Sequence, residues 1–352
     1  MARFRPFCGL RFDPERVGGL DEVVSPPYDV ISPKARDALY RRSPYNVTRL
    51  ILNREGHEQA AALFKSWRDN GLCRLDPAPA FYLYTQDFTH RGRGLRRSGV
   101  IGALALEPFS TGTIRPHERT FAHHKTDRLA LTRQVRANLS PIFGLFSNSD
   151  FHPRPEGGWE QAPEIDVVHD GVRHRLWTLT SPQDLAAVEE AVEGRTVFIA
   201  DGHHRYETAL NYYAATRDGA PPEAAAEGGD GEQPQAYVMA FLAAFEDPGM
   251  VILPTHRELL GSDGADHRAL AEYLEKNFEV TTFERSRRGR DALAAALDQC
   301  PAGRNCFAVS LANLDRDLMV CAPVGPAAGG VLAGLDLSVL HEQVLGEGLE
   351  AA

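Results

Sequence analysis

Residues 200–209 read ADGHHRYETA, the strongest site-like motif of the chain and dense in side chains that could do chemistry. The apolar run TVFIA at 196–200 precedes it, and a helical apolar pattern at 206–216 follows it. A glycine at such a junction lets the backbone turn sharply and brings a ligand close to the first amides of a helix. Those amides and the helix dipole suit phosphate. Gly202, His203, Arg205 and Thr208 are therefore candidate phosphate- or nucleotide-binding residues, and His204 is a candidate catalytic group. Asp201 is placed to hold a magnesium ion carried in by the phosphates. The competing reading has Asp201 capping the helix and the histidines satisfying buried backbone. Consecutive polar residues behind a buried strand are costly to keep for packing alone, which favours the ligand. The turn is not a Walker loop, because no G-x-x-x-x-G-K-[ST] occurs in the chain.

A second dense segment runs Ile114-Arg115-Pro116-His117-Glu118-Arg119-Thr120, then His123-His124-Lys125-Thr126-Asp127-Arg128. It lies in a basic island: residues 85–140 hold ten basic and four acidic residues, a balance of +6 in a chain of formal charge −10. Such an island points to an anionic ligand held at one place, or else to a solvated arginine-rich face. A carboxylate among many cations is held ionised. Glu118 is thus the first candidate for general base or metal ligand, and Asp127 the second. Lys125 and Arg128 are candidate phosphate clamps, and His117 a candidate pocket residue. A surface loop of charge pairs is the plain alternative. The three histidines with Glu118 fit no standard zinc or iron spacing, so no permanent metal is expected. Two smaller segments add pocket candidates: Tyr28 and Asp29 in Pro26–Val30 (PPYDV), and His256 and Arg257 after Pro254-Thr255. An Asx turn and a surface pair are their respective alternatives. No G-x-S-x-G and no cysteine beside a histidine supports nucleophilic triad chemistry.

The elements that must position these residues alternate irregularly. Strands are predicted at 80–88 and 98–107, joined by the polar loop THRGRGLRR, and again within 136–148. Ser32 with Pro33 opens a helix through Leu39, residues 57–70 show helical spacing, and residues 182–193 form a helix capped by Ser181 or Thr180. The segment 151–164 reads as a loop, and 217–235, acidic and rich in small residues, as a surface linker. After it, 237–245 and 250–259 around Asp247-Pro248-Gly249 read as a hairpin. Helices at 266–277 and 290–299 and strands at 278–284, 306–312 and 317–322 complete the chain. The pattern predicts an α+β or mixed α/β fold, not a doubly wound Rossmann sheet, divided into 1–150 and 151–352.

Composition narrows the class. With 352 residues, 43% apolar and 24% charged, the chain is of globular type. The charge of −10 argues against a nucleic-acid coat protein. No run of about 18 apolar residues marks a membrane helix, and the start MARFRPFCGLRF lacks the apolar core of a secretory signal. Five scattered cysteines without C-x-x-C predict neither a disulfide framework nor a zinc ribbon, and a reducing cytoplasm is the expected location.

Together, SPPYDVIS (25–32), SPYNVTRLIL (43–52), RPHERTF with KTDRLAL (115–131), NLSPIFGLF (138–146), ADGHHRYETAL (200–210), EDPGMVILPTHREL (246–259) and LDLSVLHEQVL (335–345) resemble a bacterial and archaeal family catalogued as domain of unknown function ten-fifteen. The resemblance covers nearly the whole chain. It also implies several tens of further residues after the LDLSVLHE-like segment, ending in a lysine-containing M-P-x-K-S-T type motif that the chain lacks. More distantly, the strand–DGHHR–helix unit is similar over about ten residues to the phosphate-binding turn of the ParB/sulfiredoxin-like superfamily, which includes free-serine kinases. That similarity implies a nucleotide-binding core, magnesium with ATP or ADP, and transfer of phosphate to a small hydroxyl metabolite such as serine. A non-catalytic nucleotide-sensing or nucleic-acid-associated module and a hydrolase of a phosphorylated metabolite are the alternatives. Sulfiredoxin chemistry is disfavoured, since His203 stands where those proteins carry a cysteine.

Overall fold

The structure, a computed structural model, describes residues 2–117, 122–217, 233–253, 256–258, 266–301, 304–312, 314–322 and 336–350. It divides into two compact units, Met1–Ile252 and Leu253–Ala352. The first unit runs β1 (Phe4–Arg5), β2 (Leu10–Phe12), α1 (Pro14–Val17), α2 (Leu20–Val23), α3 (Pro33–Arg42), α4 (Thr48–Ile51), α5 (His57–Asp69), β3 (Cys73–Leu75), β4 (Phe81–His90) and β5 (Arg93–Ala105). It continues with β6 (Ile114–Arg115), α6 (Ala122–Val135), β7 (Ile142–Phe146), β8 (Ile165–His169), β9 (Val172–Leu179), α7 (Pro182–Val192), β10 (Val197–Asp201), α8 (His203–Arg217) and β11 (Tyr237–Ala244).

Nine of these strands form one sheet in the order β6-β10-β7-β11-β5-β4-β9-β8, with β1 on β5. β6–β10 and β7–β11 pair in parallel, and the other neighbours are antiparallel. The sheet is therefore mixed, as the irregular alternation predicts, and it is not doubly wound. A boundary at residue 150 would cut through it, because β7 pairs with both β10 and β11. Burial of Phe81, Leu83, Val100, Ile142, Ile199 and Leu242 fills its core, with Val188 and Val192 of α7 and Tyr206 of α8 packed among them.

Local chemistry explains most elements and corrects two. Ser32 and Ser181 cap α3 and α7 by accepting from the amides of Ala35 and Asp184, each with proline at the first helical position. The expected loop THRGRGLRR is instead strand on both sides of a two-residue turn. Arg91 and Gly92 both take positive φ, 48° and 76°, the backbone whose twist matches the flanking strands. The expected hairpin after β11 does not form. The turn at Asp247 is present, with Met250 N–H donating to Asp247 O at 2.9 Å. However, β11 already lies between β5 and β7, so neither of its edges remains for a following strand. The segment 218–232, most of the expected linker, lies outside the described residues.

The second unit holds α9 (His267–Asn277), β12 (Glu279–Glu284), α10 (Arg287–Asp298), β13 (Cys306–Ser310), β14 (Arg316–Cys321), α11 (Asp336–Val339), a π-helical stretch at Leu340–Glu347 and α12 (Gly348–Glu350). Its strands make an antiparallel sheet in the order β12-β14-β13. Leu270, Leu274, Leu318, Val320 and Val344 form its core. Cys300 and Cys306 are joined by a disulfide, which the scattered cysteines did not predict.

Candidate functional site

β10 delivers the DGHHR turn to the edge of the first unit's core. Val197 and Ile199 are fully buried, and the register against β7 shifts between Ile199 and Asp201. Such irregularities end pairing and re-aim the chain. Gly202 then takes φ +91°, a backbone that side-chain-bearing residues rarely adopt, and α8 opens at His203. The first amides of this helix have no intrahelical acceptor. α8 is 15 residues long and is anchored by Tyr206, fully buried and stacked on Phe109 at 5.3 Å. Tyr206 Oη donates to Glu107 O at 2.8 Å and accepts from Glu107 N–H at 2.9 Å. Burial raises the Tyr206 hydroxyl to about 12, so it stays protonated.

Arg205 is not an outward phosphate clamp. Its guanidinium pairs with Asp201, donates to Ser140 Oγ at 2.9 Å and to Pro141 O, and is only 12% exposed. It ties the start of α8 to the residues entering β7. His203 is 4% exposed. Its Nε2 accepts from His117 N–H at 3.3 Å, and the two rings meet edge to face at 4.5 Å. His117 Nδ1 lies 2.6 Å from Ile199 O, so that nitrogen carries the hydrogen. His117 and the turn thus do belong together. Glu118, the next residue, lies outside the described residues, as does the side chain of Lys125. Thr208 is buried in α8, and its Oγ1 has no hydrogen-bond partner among the described residues.

A second cluster forms on α6 and its neighbours. The Arg128 guanidinium stacks on the Tyr28 ring at 4.5 Å, donates to Ile51 O at 2.7 Å and bonds Asp127 Oδ2 through Nε at 2.9 Å. Asp127 Oδ1 lies 3.1 Å from His57 Nε2 at the start of α5. Burial pushes the Asp127 carboxyl upward, but hydrogen bonds and charge from Arg128 and His57 outweigh it and hold it below its usual value. Tyr28 is pushed up by burial and by Asp29, against the opposing charges of Arg128 and Arg205. Tyr28 is therefore within electrostatic reach of the α8 turn as well. Asp29 is exposed beside it.

Sequence reasoning missed two contributors. His57 appears there only as the first residue of an apolar helix, and nothing local marks it as the partner of Asp127, 70 positions on. Asn46 stands in the sequence only as one residue of SPYNVTRLIL (43–52). It is fully buried. Its amide donates to Glu22 O at 2.8 Å and Val24 O at 3.0 Å, while its Oδ1 accepts from Thr48 N–H and Oγ1 at 3.1 and 2.7 Å. Asn46 therefore pins the chain that leads into the PPYDV segment.

Among the described residues, the basic island does not converge on one place. Arg96 of the β4–β5 hairpin pairs with Asp87, and Arg97 donates to Gln86 at 2.6 Å and lies over Phe143. Arg128 instead serves the α6 cluster. His256 and Arg257 are exposed and belong to the second unit. The candidate site is built from the first unit alone. Among the described residues, the group of three side chains spaced to hold a metal ion is Cys300, Cys306 and Cys321, also in the second unit.

The first unit is thus a mixed α/β framework that holds a strand–turn–helix and a histidine–aspartate pair. The chain matches the family described as Protein of unknown function (DUF1015) over residues 4–332 and belongs to it. No curated protein and no solved structure matches the chain.

Proposed function

We propose that the first unit binds a nucleotide and transfers its terminal phosphoryl group to a small hydroxyl metabolite, with a free amino acid such as serine as the acceptor class. The observation that carries this reading is the packing of α6 against both α5, which brings His57, and α8, whose N-terminus opens at Gly202. A base and a phosphate-accepting helix end thereby flank one helix. The likeness of the turn to the ParB/sulfiredoxin-like superfamily supports a nucleotide as the anion.

Phosphoryl transfer needs anion donors, charge neutralisation and an aligned hydroxyl more than covalent chemistry. The amides at the start of α8 supply donors, and Gly202, without a side chain, lets phosphate approach them. Arg205 positions that helix end. A carboxylate only accepts, so neutral His57 donates its Nε2 hydrogen to Asp127 and keeps Nδ1 as the basic nitrogen. His57 then takes the proton of the acceptor hydroxyl, and Asp127, held ionised, stabilises the imidazolium. Asp201 is about half exposed with Oδ2 held by Arg205. One carboxylate together with phosphate oxygens is the usual setting for magnesium, so Asp201 fits an ion that arrives with the nucleotide and offsets its charge.

Thermal unfolding with ATP, ADP, CTP and pyrophosphate, each with and without magnesium, tests the binding half. A ligand of the folded state stabilises by RT ln(1 + [L]/Kd), so the transition of the first unit rises with ligand concentration. Phosphorus NMR of the best nucleotide with hydroxyl amino acids then reads transfer. No shift at millimolar ligand contradicts the proposal. The internal bonding of Arg205 favours one second reading, a nucleotide-sensing module without turnover. Binding without transfer to any acceptor selects it.

A further inference from the structure

We propose that the second unit carries a thiol–disulfide exchange site formed by Cys300, Cys306 and Cys321. Cys300 follows the end of α10, Cys306 opens β13 and Cys321 closes β14. Cys306 and Cys321 are directly paired across the ladder, so their side chains share one face of the sheet. The three sulfurs all lie within 4.8 Å of one another. Cys300 and Cys306 form the disulfide, and Cys321, buried, is the thiol beside it.

The exchange conserves atoms and electrons within the chain. Cys321 gives its proton to water, and its thiolate attacks the Cys306 sulfur. A Cys321–Cys306 bond forms as the Cys306–Cys300 bond breaks. The electron pair leaves on Cys300 Sγ, which takes up a proton. One thiol and one disulfide exist before and after, so no outside oxidant enters. The direction matters because Cys321 is buried whereas Cys300 is partly exposed in a connecting segment. Exchange therefore turns a sheltered thiol into an accessible one, suited to reaction with small soluble disulfides.

The surroundings favour exchange over a metal. Arg304 donates from Nε to Ala322 O at 3.1 Å and pairs with Glu279. Glu279 stands opposite Cys321 on β12, in the same cross-strand row, and Arg304 already engages it. Among the described residues, a metal held by three thiolates would find no fourth ligand beyond Glu279, which Arg304 engages. Burial and the charge of Glu279 hold the Cys321 thiol above its ordinary value, and the Arg304 guanidinium opposes them, so the thiolate forms as a minor species beside the disulfide.

The test uses the full chain, oxidised to one disulfide per molecule among these three cysteines. It is alkylated without reductant at pH 8 with N-ethylmaleimide and mapped by peptide mass spectrometry. The expected result is a growing Cys300 adduct matched by a Cys306–Cys321 disulfide peptide. Cys321→Ser slows the Cys300 adduct at least tenfold, and Cys321→Ala does the same if the serine variant fails to fold. Cys300→Ser, oxidised, carries the Cys306–Cys321 bond. Labelling of Cys321 alone with Cys300–Cys306 intact overturns the proposal, as does an unchanged Cys300 rate in both Cys321 variants. Stoichiometric zinc retained by the reduced chain, with all three thiols protected, would replace exchange by a metal site.

Discussion

At the start of α8, Asp201, Arg205 and Tyr206 direct their polar contacts into the chain, to each other, to Ser140 and Pro141 and to Glu107. Around Tyr28 more of the cluster is open, whereas at α8 it is Asp201 alone, 49% exposed, that is open among these three residues. Arg128 bonds backbone, but Asp127 is 47% exposed, His57 31% exposed, and Asp29 faces solvent. Both regions are dense in polar side chains. The first uses most of them to fix a helix end, leaving Asp201 half exposed, and the second leaves its histidine and aspartate partly open to solvent. Residue type and density alone do not separate a supporting cluster from a reacting one; the direction of the hydrogen bonds does.

That contrast is broken most severely at Tyr206. Tyr206→Ala removes a fully buried ring and both bonds to Glu107, and large-to-small core changes of this kind cost about 3–5 kcal/mol. Urea unfolding followed on the first unit reads the loss. Arg205→Ala comes next, with about 1.5–3 kcal/mol expected for hydrogen bonds to a charged group, lowered by the partial exposure of Asp201. Gly202→Ala forces a side chain into φ +91° and places its Cβ 3.0 Å from Arg205 Nε. It costs about 1–2 kcal/mol from the backbone alone and shifts the guanidinium.

At the open cluster the effects on stability are small. His57→Ala removes one partner of a partly exposed pair and changes unfolding by less than about 1 kcal/mol, while it is expected to abolish transfer. Its counterpart is a pH experiment. The folded Asp127 carboxyl lies below its ordinary value of 3.8. Its stabilising contribution is therefore complete above that pH and is lost as pH falls through the lower folded value. Asp127→Asn removes this share of the acid loss, so the difference in melting temperature between parent and variant narrows as the solution is acidified below about 3.8.

Much of the framework was legible because its signals are local. Ser32-Pro33 and Ser181-Pro182 mark helix starts by chemistry that acts within three residues. The strand, glycine and helix around Gly202 are equally local, although α8 begins at His203, three residues before its apolar pattern becomes visible. What stayed hidden depends on distant partners. The second strand after Asp247 looked plausible until β5 and β7 occupied both edges of β11. The orientation of Arg205 is set by Ser140 and Pro141, more than 60 positions away in sequence. His57 acquires meaning only when α5 packs on α6. The pairing of Cys300 with Cys306 likewise follows from where β13 begins, not from a spacing motif.

Ligand titration followed by thermal unfolding of the first unit, run on the parent, Arg205→Ala and His57→Ala, tests the division of labour most directly. The account predicts that Arg205→Ala melts lower without ligand yet still rises with magnesium and ATP, because helix amides hold the phosphate. His57→Ala melts and rises with the parent. An Arg205→Ala protein that melts with the parent and no longer responds to nucleotide would contradict the account, and would make Arg205 the clamp itself.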